Sequence, residues 1–297
     1  MLKFIRFHPF GCTNIEIKEI LMIIELIKAA FFGIVQGITE WLPISSTGHM
    51  ILLEQLMPMQ VSKDFWDMFL VVIQFGSILA VLVLYFGQLN PFSPKKSKDQ
   101  KKSTWSLWGK IIVGIIPAGI MGVLFNDWLD DHLYNYTTVA ITLILYGIIF
   151  IIVENLERTS HPKVTSIEDV SFLKAFEIGL FQTLSLIPGT SRSGSTIIGA
   201  TILGTSRPVA AEFSFFLAIP VMLGASLFKV YKFMKTGTAI TSTEMGILLV
   251  GTIVAFIVSI VVIKFLMNYI RKHDFKVFGY YRIILGIIVV IYAVLFA

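Results

Sequence analysis

Residues 33–52 read GIVQGITEWLPISSTGHMIL, and residues 179–198 read GLFQTLSLIPGTSRSGSTII. Each stretch runs from an apolar segment carrying a glutamine through a proline into a turn of small hydroxylated residues, and then into a second apolar segment. Proline ends a helix, because it lacks an amide donor and its ring clashes with the preceding turn. The serines and threonines that follow can cap a new helix through their side-chain oxygens. Two short helices joined by such a loop predict a hairpin. Non-helical backbone survives at membrane depth only where protein or a wet cavity surrounds it, so both loops are candidate functional sites. The two stretches match with a one-residue slip before the proline.

The rest of the chain supplies the membrane. Its 297 residues are 56% hydrophobic and only 14% charged, whereas a soluble domain carries about 25% charge. Six runs are long enough to cross a bilayer, at 65–86, 107–125, 138–154, 208–230, 245–267 and 277–297. Four shorter pieces, 22–38, 49–59, 172–187 and 195–204, flank the two polar loops. FLVVIQFGSIL (69–79) echoes FFLAIPVMLGASL (215–227), and each half then adds two long helices. The expected fold is an all-α integral membrane protein with an inverted-topology repeat. Each half is a re-entrant helix hairpin plus three transmembrane helices, an odd number that turns the second half over. Repeat one covers about 22–156 and repeat two about 172–297, in one membrane domain, 22–297. Residues 1–21 are basic and lack the continuous apolar core of a signal peptide. They read as an N-terminal extension ahead of a natural start at Met22.

Lysine and arginine in short loops set orientation. Loop 87–110 holds Lys95, Lys96, Lys98, Lys101, Lys102 and Lys110 and reads as cytoplasmic. Loop 126–137, with Asp127, Asp130 and Asp131 and no lysine or arginine, reads as external. Arg158, Lys163, Arg271, Lys272 and Lys276 then lie inside, while Lys229, Lys232 and Lys235 fall outside, against the rule. The first hairpin enters from outside and the second from inside, so their tips can meet. The net charge of +5 sits mostly in these loops and does not indicate nucleic acid. The sole cysteine, Cys12, supports neither an intrachain disulfide nor a cysteine metal site.

Gln36 and Glu40, four residues apart, share one helix face, and Gly33 and Gly37 allow another helix to approach closely. A carboxylate at depth among apolar residues is costly and usually functional. His49 beside the Ser45–Thr47 turn suits proton transfer or attack on phosphorus. Arg192, in the partner loop, can grip a phosphate with two hydrogen bonds. Helix N-termini after both loops are natural anion sites. The halves therefore share a frame and differ in chemistry. Gln74, Gln182 and Glu212 are expected to line a cavity or bond neighbouring helices. Lys28, Lys110, Lys264 and Arg282, near predicted helix ends, are expected to reach toward the interface. No P-loop, dinucleotide fingerprint or HExxH motif occurs.

QGITE (36–40), PISSTGHM (43–50) and PGTSRSGST (188–196) together resemble the motifs of the undecaprenyl-diphosphate phosphatase family linked to bacitracin resistance. The resemblance runs from about Met22 to the C-terminus. It implies hydrolysis of undecaprenyl diphosphate to the monophosphate, recycling the lipid carrier of wall synthesis. It also implies a divalent cation, Mg²⁺ or Ca²⁺, and a multi-pass protein of the bacterial plasma membrane whose site opens outward. Carried over residue by residue, Glu40, Ser46, His49 and Arg192 are catalytic. Gln36, Thr47, Ser191 and Arg192 contact substrate, and Glu40 with Gln36 holds the metal. The family motif admits Glu or Gln at the position of Gln36, and an amide is the poorer ligand for a hard cation, which shifts the metal toward Glu40. Attack by Ser46, attack by His49 and activation of a nucleophile by His49 all remain open, as does a homodimer. The alternative is a secondary transporter or lipid flippase for an anion, which uses the same broken helices without needing Glu40, His49 and Arg192 together.

Overall fold

The computed structural model describes residues 14–156 and 161–296, whose regular secondary structure is helical apart from one isolated bridge between Val164 and Thr205. In chain order the helices are α1 (Asn14–Thr39), α2 (Ser46–Leu56), α3 (Lys63–Leu84), α4 (Phe86–Leu89), α5 (Lys98–Leu133) and α6 (Tyr136–Glu154). They continue as α7 (Phe172–Thr183), prolonged by a 3₁₀ turn at Leu184–Leu186, α8 (Arg192–Ile202), α9 (Arg207–Lys235), α10 (Ser242–Tyr269) and α11 (Lys276–Phe296).

Among the described residues seven helices are long and apolar enough to span a membrane, one more than the sequence predicts. The addition is Lys18–Thr39 in α1, read from sequence as the short piece 22–38. Glu16, Lys18 and Glu19 interrupt the apolar pattern there, but Ile20 and Leu21 carry it on and α1 is continuous through Met22. Residues 1–13 of the expected extension lie outside the described residues, as does Arg158. Two loop boundaries also change. The capping box of Ser97 and Gln100 starts α5 at Lys98, nine residues before the apolar run at 107, so Lys98, Lys101, Lys102 and Lys110 are helical. At the other end α5 runs to Leu133, so most of the expected loop 126–137 is helix.

The outward faces are apolar. On α10, Leu249, Ile253, Ile257, Val261 and Phe265 recur every fourth residue, each more than half exposed. The opposite face of that helix buries Ile247, Gly251, Ala255, Ser259 and Ile263. Contiguous apolar surface of this extent needs a lipid or protein neighbour, and with seven candidate spans the chain is a multi-pass membrane protein.

Small residues permit the main crossings. α1 packs on α10 and α7 packs on α5. A Cβ on Gly33 would come within 2.5 Å of the Gly251 carbonyl oxygen, and one on Gly37 within 2.8 Å of that of Ala255. In the second half, a Cβ on Gly179 would meet the Gly114 carbonyl. α6 and α11 cross where Gly147 and Gly279 each face the other's carbonyl oxygen, at 2.7 Å for an added Cβ. Glu154, at the end of α6, accepts from Arg207 Nη2 at 2.6 Å and from the Phe275 amide at 3.0 Å, tying α6 to the starts of α9 and α11. Asp64, Asp67, Lys229 and Lys232 line one small cavity, so two of the lysines that contradict the charge rule have acidic neighbours.

Candidate active site

Both polar loops end in the same device. Ser45 and Ser191 have φ of 73° and 72°, and they alone among the described non-glycine residues have positive φ. Each is the N-cap of its short helix: Ser45 Oγ accepts from the Gly48 amide at 3.3 Å, and Ser191 Oγ from the Gly194 amide at 3.1 Å. A left-handed serine costs about 1–2 kcal/mol, offset by a cap worth about 1 kcal/mol. The matching caps set Ser45 against Ser191, 146 residues apart like Gln36 and Gln182, whereas the prolines are 145 apart. The slip before the proline is thus undone after it, by an extra residue at Gly189–Thr190, where Gly189 turns with φ +86°.

This geometry brings the first residues of α2 and α8 together at Glu40. Arg192 Nη2 donates to Glu40 Oε1 at 3.0 Å. Gln36 Nε2 and Ser46 Oγ donate to Glu40 Oε2 at 2.9 and 3.0 Å. Ser193 Oγ reaches the Glu40 carbonyl oxygen at 3.2 Å, and Arg192 Nη1 donates to the Ser214 carbonyl at 2.9 Å. The ion pair is almost dry, with side-chain exposures of 10% for Arg192 and 4% for Glu40. Two residues 152 apart in sequence thus form one salt bridge between the loops. The first amides of a helix lack intrahelical acceptors and carry partial positive charge. Two such N-termini, each opening beside this pair, make an anion-binding corner.

His49 stands one helical turn further on. Its Nδ1 is 2.8 Å from the Ser45 carbonyl oxygen and its Nε2 is 2.7 Å from the Tyr281 hydroxyl. Burial holds its pKa below the ordinary histidine value. The Ser45 carbonyl opposes that shift and Arg282 adds to it. Thr47 is half-buried in the first turn of α2. Ser191, besides capping, lies 3.2 Å from Ser193 Oγ.

Of the sequence candidates, Gln36, Glu40, Ser46 and Arg192 form one hydrogen-bonded group, while His49 is held separately by Ser45 and Tyr281. Glu212 accepts from Gln88 at 2.7 Å. Gln182 is buried, and neither amide atom has a hydrogen-bond partner among the described residues.

Sequence reasoning missed two residues, and both lie on α11. Arg282 does not reach toward an interface: it is fully buried. It donates to the carbonyls of Pro43 at 3.2 Å, Gly189 at 2.9 Å and Thr142 at 3.4 Å, and it lies over the Tyr146 ring at 5.6 Å. It pins one loop to the other, and no described carboxylate lies within ion-pair distance of it. The corner thus has two cations, Arg192 and Arg282, against one carboxylate. The only sequence signal for Arg282 was an arginine several residues inside an apolar span. Lys110 is likewise buried and donates to the Glu168 carbonyl at 2.7 Å, whereas Lys264 is exposed.

For a divalent cation the fit is partial but coherent. Gln36 Oε1 is buried without a donor, an unused acceptor on the side chain whose Nε2 contacts the Glu40 carboxylate. Among the described residues no three His, Cys, Asp or Glu side chains cluster as a metal cage. A hard cation takes six or more oxygens, so Glu40 and Gln36 would hold it only together with oxygens of a bound anion.

Residues 29–288 match the family described as bacitracin resistance protein BacA. The chain is 60% identical over 274 residues to undecaprenyl-diphosphatase 1 of Clostridioides difficile, covering 92% of this chain and 98% of that one. It is 58% identical over 269 residues to the undecaprenyl-diphosphatase of Acetivibrio thermocellus (91% and 98%). It is 55% identical over 272 residues to that of Enterococcus faecalis (92% and 99%).

Proposed function

The chain belongs to the bacitracin resistance protein BacA family, and on that premise we propose that it hydrolyses undecaprenyl diphosphate to undecaprenyl phosphate and inorganic phosphate. The activity returns the lipid carrier to wall synthesis and confers bacitracin resistance. The observation that carries the reading is the buried contact of Arg192 with Glu40 beside two helix N-termini. A single loop offers an acid or a base. The two loops together offer a corner that binds a diphosphate and presents a hydroxyl to it.

In this reading Arg192 and the amides that open α2 and α8 receive the diphosphate oxygens, and Arg282 adds fixed positive charge behind the loops. Ser46 is the best-aimed nucleophile, because its hydroxyl already donates to Glu40 Oε2. Its Oγ bonds to the terminal phosphorus as the bond to the bridging oxygen breaks, and undecaprenyl phosphate leaves. The serine proton passes to Glu40. His49, neutral with an accepting Nε2, then takes a proton from the water whose oxygen bonds to phosphorus, as the bond to Ser46 Oγ breaks and Glu40 returns the proton to that oxygen. A Mg²⁺ or Ca²⁺ ion held by Glu40 and Gln36 supplies neutralisation of charge on the phosphoryl oxygens.

The same reading makes the architecture an inverted repeat with two re-entrant hairpins. Support comes from the matched caps at Ser45 and Ser191 and from the matched glycine crossings of α1 on α10 and α7 on α5. It opens the site to the extracytoplasmic side of the bacterial plasma membrane. The lysines at the start of α5 and the basic run Arg271–Lys272 support that orientation.

The test is phosphate release from undecaprenyl diphosphate by protein purified in detergent, with Mg²⁺ and with EDTA. Detergent abolishes sidedness, so a transporter or flippase gives no product, whereas the phosphatase releases one phosphate per lipid. Folded protein that releases none under either condition sinks the reading.

A further inference from the structure

Tyr281 belongs to none of the sequence motifs, yet its hydroxyl is 2.7 Å from His49 Nε2. The other ring nitrogen lies 2.8 Å from the Ser45 carbonyl oxygen. A carbonyl oxygen only accepts, so Nδ1 carries the proton and the neutral ring has Nε2 as its acceptor. The Tyr281 hydroxyl is therefore the donor to it. If the ring gains a proton, Nε2 donates and the same phenol oxygen accepts, so the contact serves both states. The two rings lie parallel within 8°, with centroids 5.6 Å apart.

Both anchors of the imidazole are themselves fixed. Ser45 is locked by its cap at the left-handed turn. Tyr281 immediately precedes Arg282, whose guanidinium is held by three carbonyls. Arg282 is fully buried, whereas Tyr281 is 43% exposed.

Resting on the phosphatase reading, we propose that Tyr281 is a positioning residue for the reaction: it holds His49 with Nε2 as acceptor and covers that nitrogen in the resting site. Ser45 alone fixes one end of the ring and leaves it free to swing about that bond. With Tyr281 both ends are fixed, and the lone pair that must receive a proton keeps its aim. A catalytic base held at both nitrogens loses little orientation between turnovers.

The experiment uses the full chain in detergent and the substitution Tyr281→Phe, which keeps the stacked ring and removes the hydroxyl. Carbethoxylation by diethyl pyrocarbonate, read by mass spectrometry, reports how available each histidine nitrogen is, with His132 and His273 as internal references. The His49 rate is expected to rise about fivefold in Y281F with the references unchanged, as the loss of one hydrogen bond implies. The kcat should fall roughly five- to tenfold with KM within about twofold of wild type. A His49 rate equal to wild type overturns the proposal, and so does a raised rate with unchanged kcat. Tyr281→Leu repeats the reactivity arm should Y281F not elute as folded protein. Wild-type protein that releases no phosphate would instead sink the phosphatase reading, and the reactivity arm tells that failure apart.

Discussion

The loop at Glu40–Ser45 and the loop at Leu186–Ser191 share a backbone plan and almost nothing of their chemistry. Both follow a helix with a buried glutamine and a glycine crossing. Both pass through a proline and end on a serine in the left-handed region that caps an eleven-residue helix. The first contributes an acid, a hydroxyl and an imidazole; the second contributes a guanidinium. The plan and the chemistry are thus separable: the caps and glycines hold two helix N-termini at one corner, and unlike side chains at matching positions give that corner its polar groups. Ser46 and Arg192, the first residues of α2 and α8, are the clearest case, since both donate to the same carboxylate.

The largest effect is expected where the two loops touch. Removing either partner strands the other as a buried charge, which costs about 3–5 kcal/mol. Glu40→Ala and Arg192→Ala should each lower kcat/KM at least ~100-fold and reduce the melting temperature in detergent. The double substitution should be less destabilised than the sum of the singles. Additive losses would mean that the contact does not link the loops.

Next in size is the pin behind them. Arg282→Met leaves the loop carbonyls of Pro43 and Gly189 without the arginine donor and removes one of the two cations at the corner, while the Thr142 carbonyl keeps its bond within α6. A roughly tenfold to hundredfold loss of activity should accompany lower stability, since each unsatisfied buried group costs about 1–3 kcal/mol. Arg282→Lys restores the charge but not the reach to both loops, and should recover only part of the loss. If Arg282→Met matches wild type in both measurements, the loops need no pin.

The frame itself should respond equally in both halves. Ser45→Ala and Ser191→Ala each lose a cap worth about 0.5–2 kcal/mol while keeping an unfavourable left-handed residue. Similar drops in melting temperature are expected from the two, with at most a few-fold change in kcat. Glycine at either position gives up the cap but relieves the backbone, so it should be close to neutral. Markedly unequal losses would break the parallel between the loops.

Much of this was legible in the sequence because it was local. Proline, serines and glycine at fixed spacing gave the two turns, and four-residue spacing put Gln36 and Glu40 on one face. The sequence implied that the two tips can meet, but not that Glu40 and Arg192 bond to each other there. Tyr281 and Arg282 escaped because their partners, His49, Pro43, Thr142 and Gly189, lie 93 to 239 residues away. No local pattern marks an arginine whose acceptors are all backbone carbonyls of other segments. The starts of α1 and α5 escaped for a different reason: charged first turns hide a helix from a reading based on apolar runs.

The smallest expected effect concerns Gln36, the amide one helical turn before Glu40 on α1. Gln36 donates to Glu40 through Nε2 and leaves Oε1 buried without a donor. Gln36→Glu removes that donor and sets two carboxylates against each other, with Arg192 already committed to one of them. Like charges that close cannot both ionise cheaply, so without metal the variant should be less stable than wild type. A divalent cation relieves the repulsion and gains a better ligand. Mg²⁺ should therefore raise the melting temperature of Q36E more than that of wild type, and half-maximal activity should need about two- to fivefold less Mg²⁺, a gain below ~1 kcal/mol. Equal Mg²⁺ shifts in the two proteins would mean that the ion does not sit between residues 36 and 40, and that the metal ligands must be sought elsewhere along the corner.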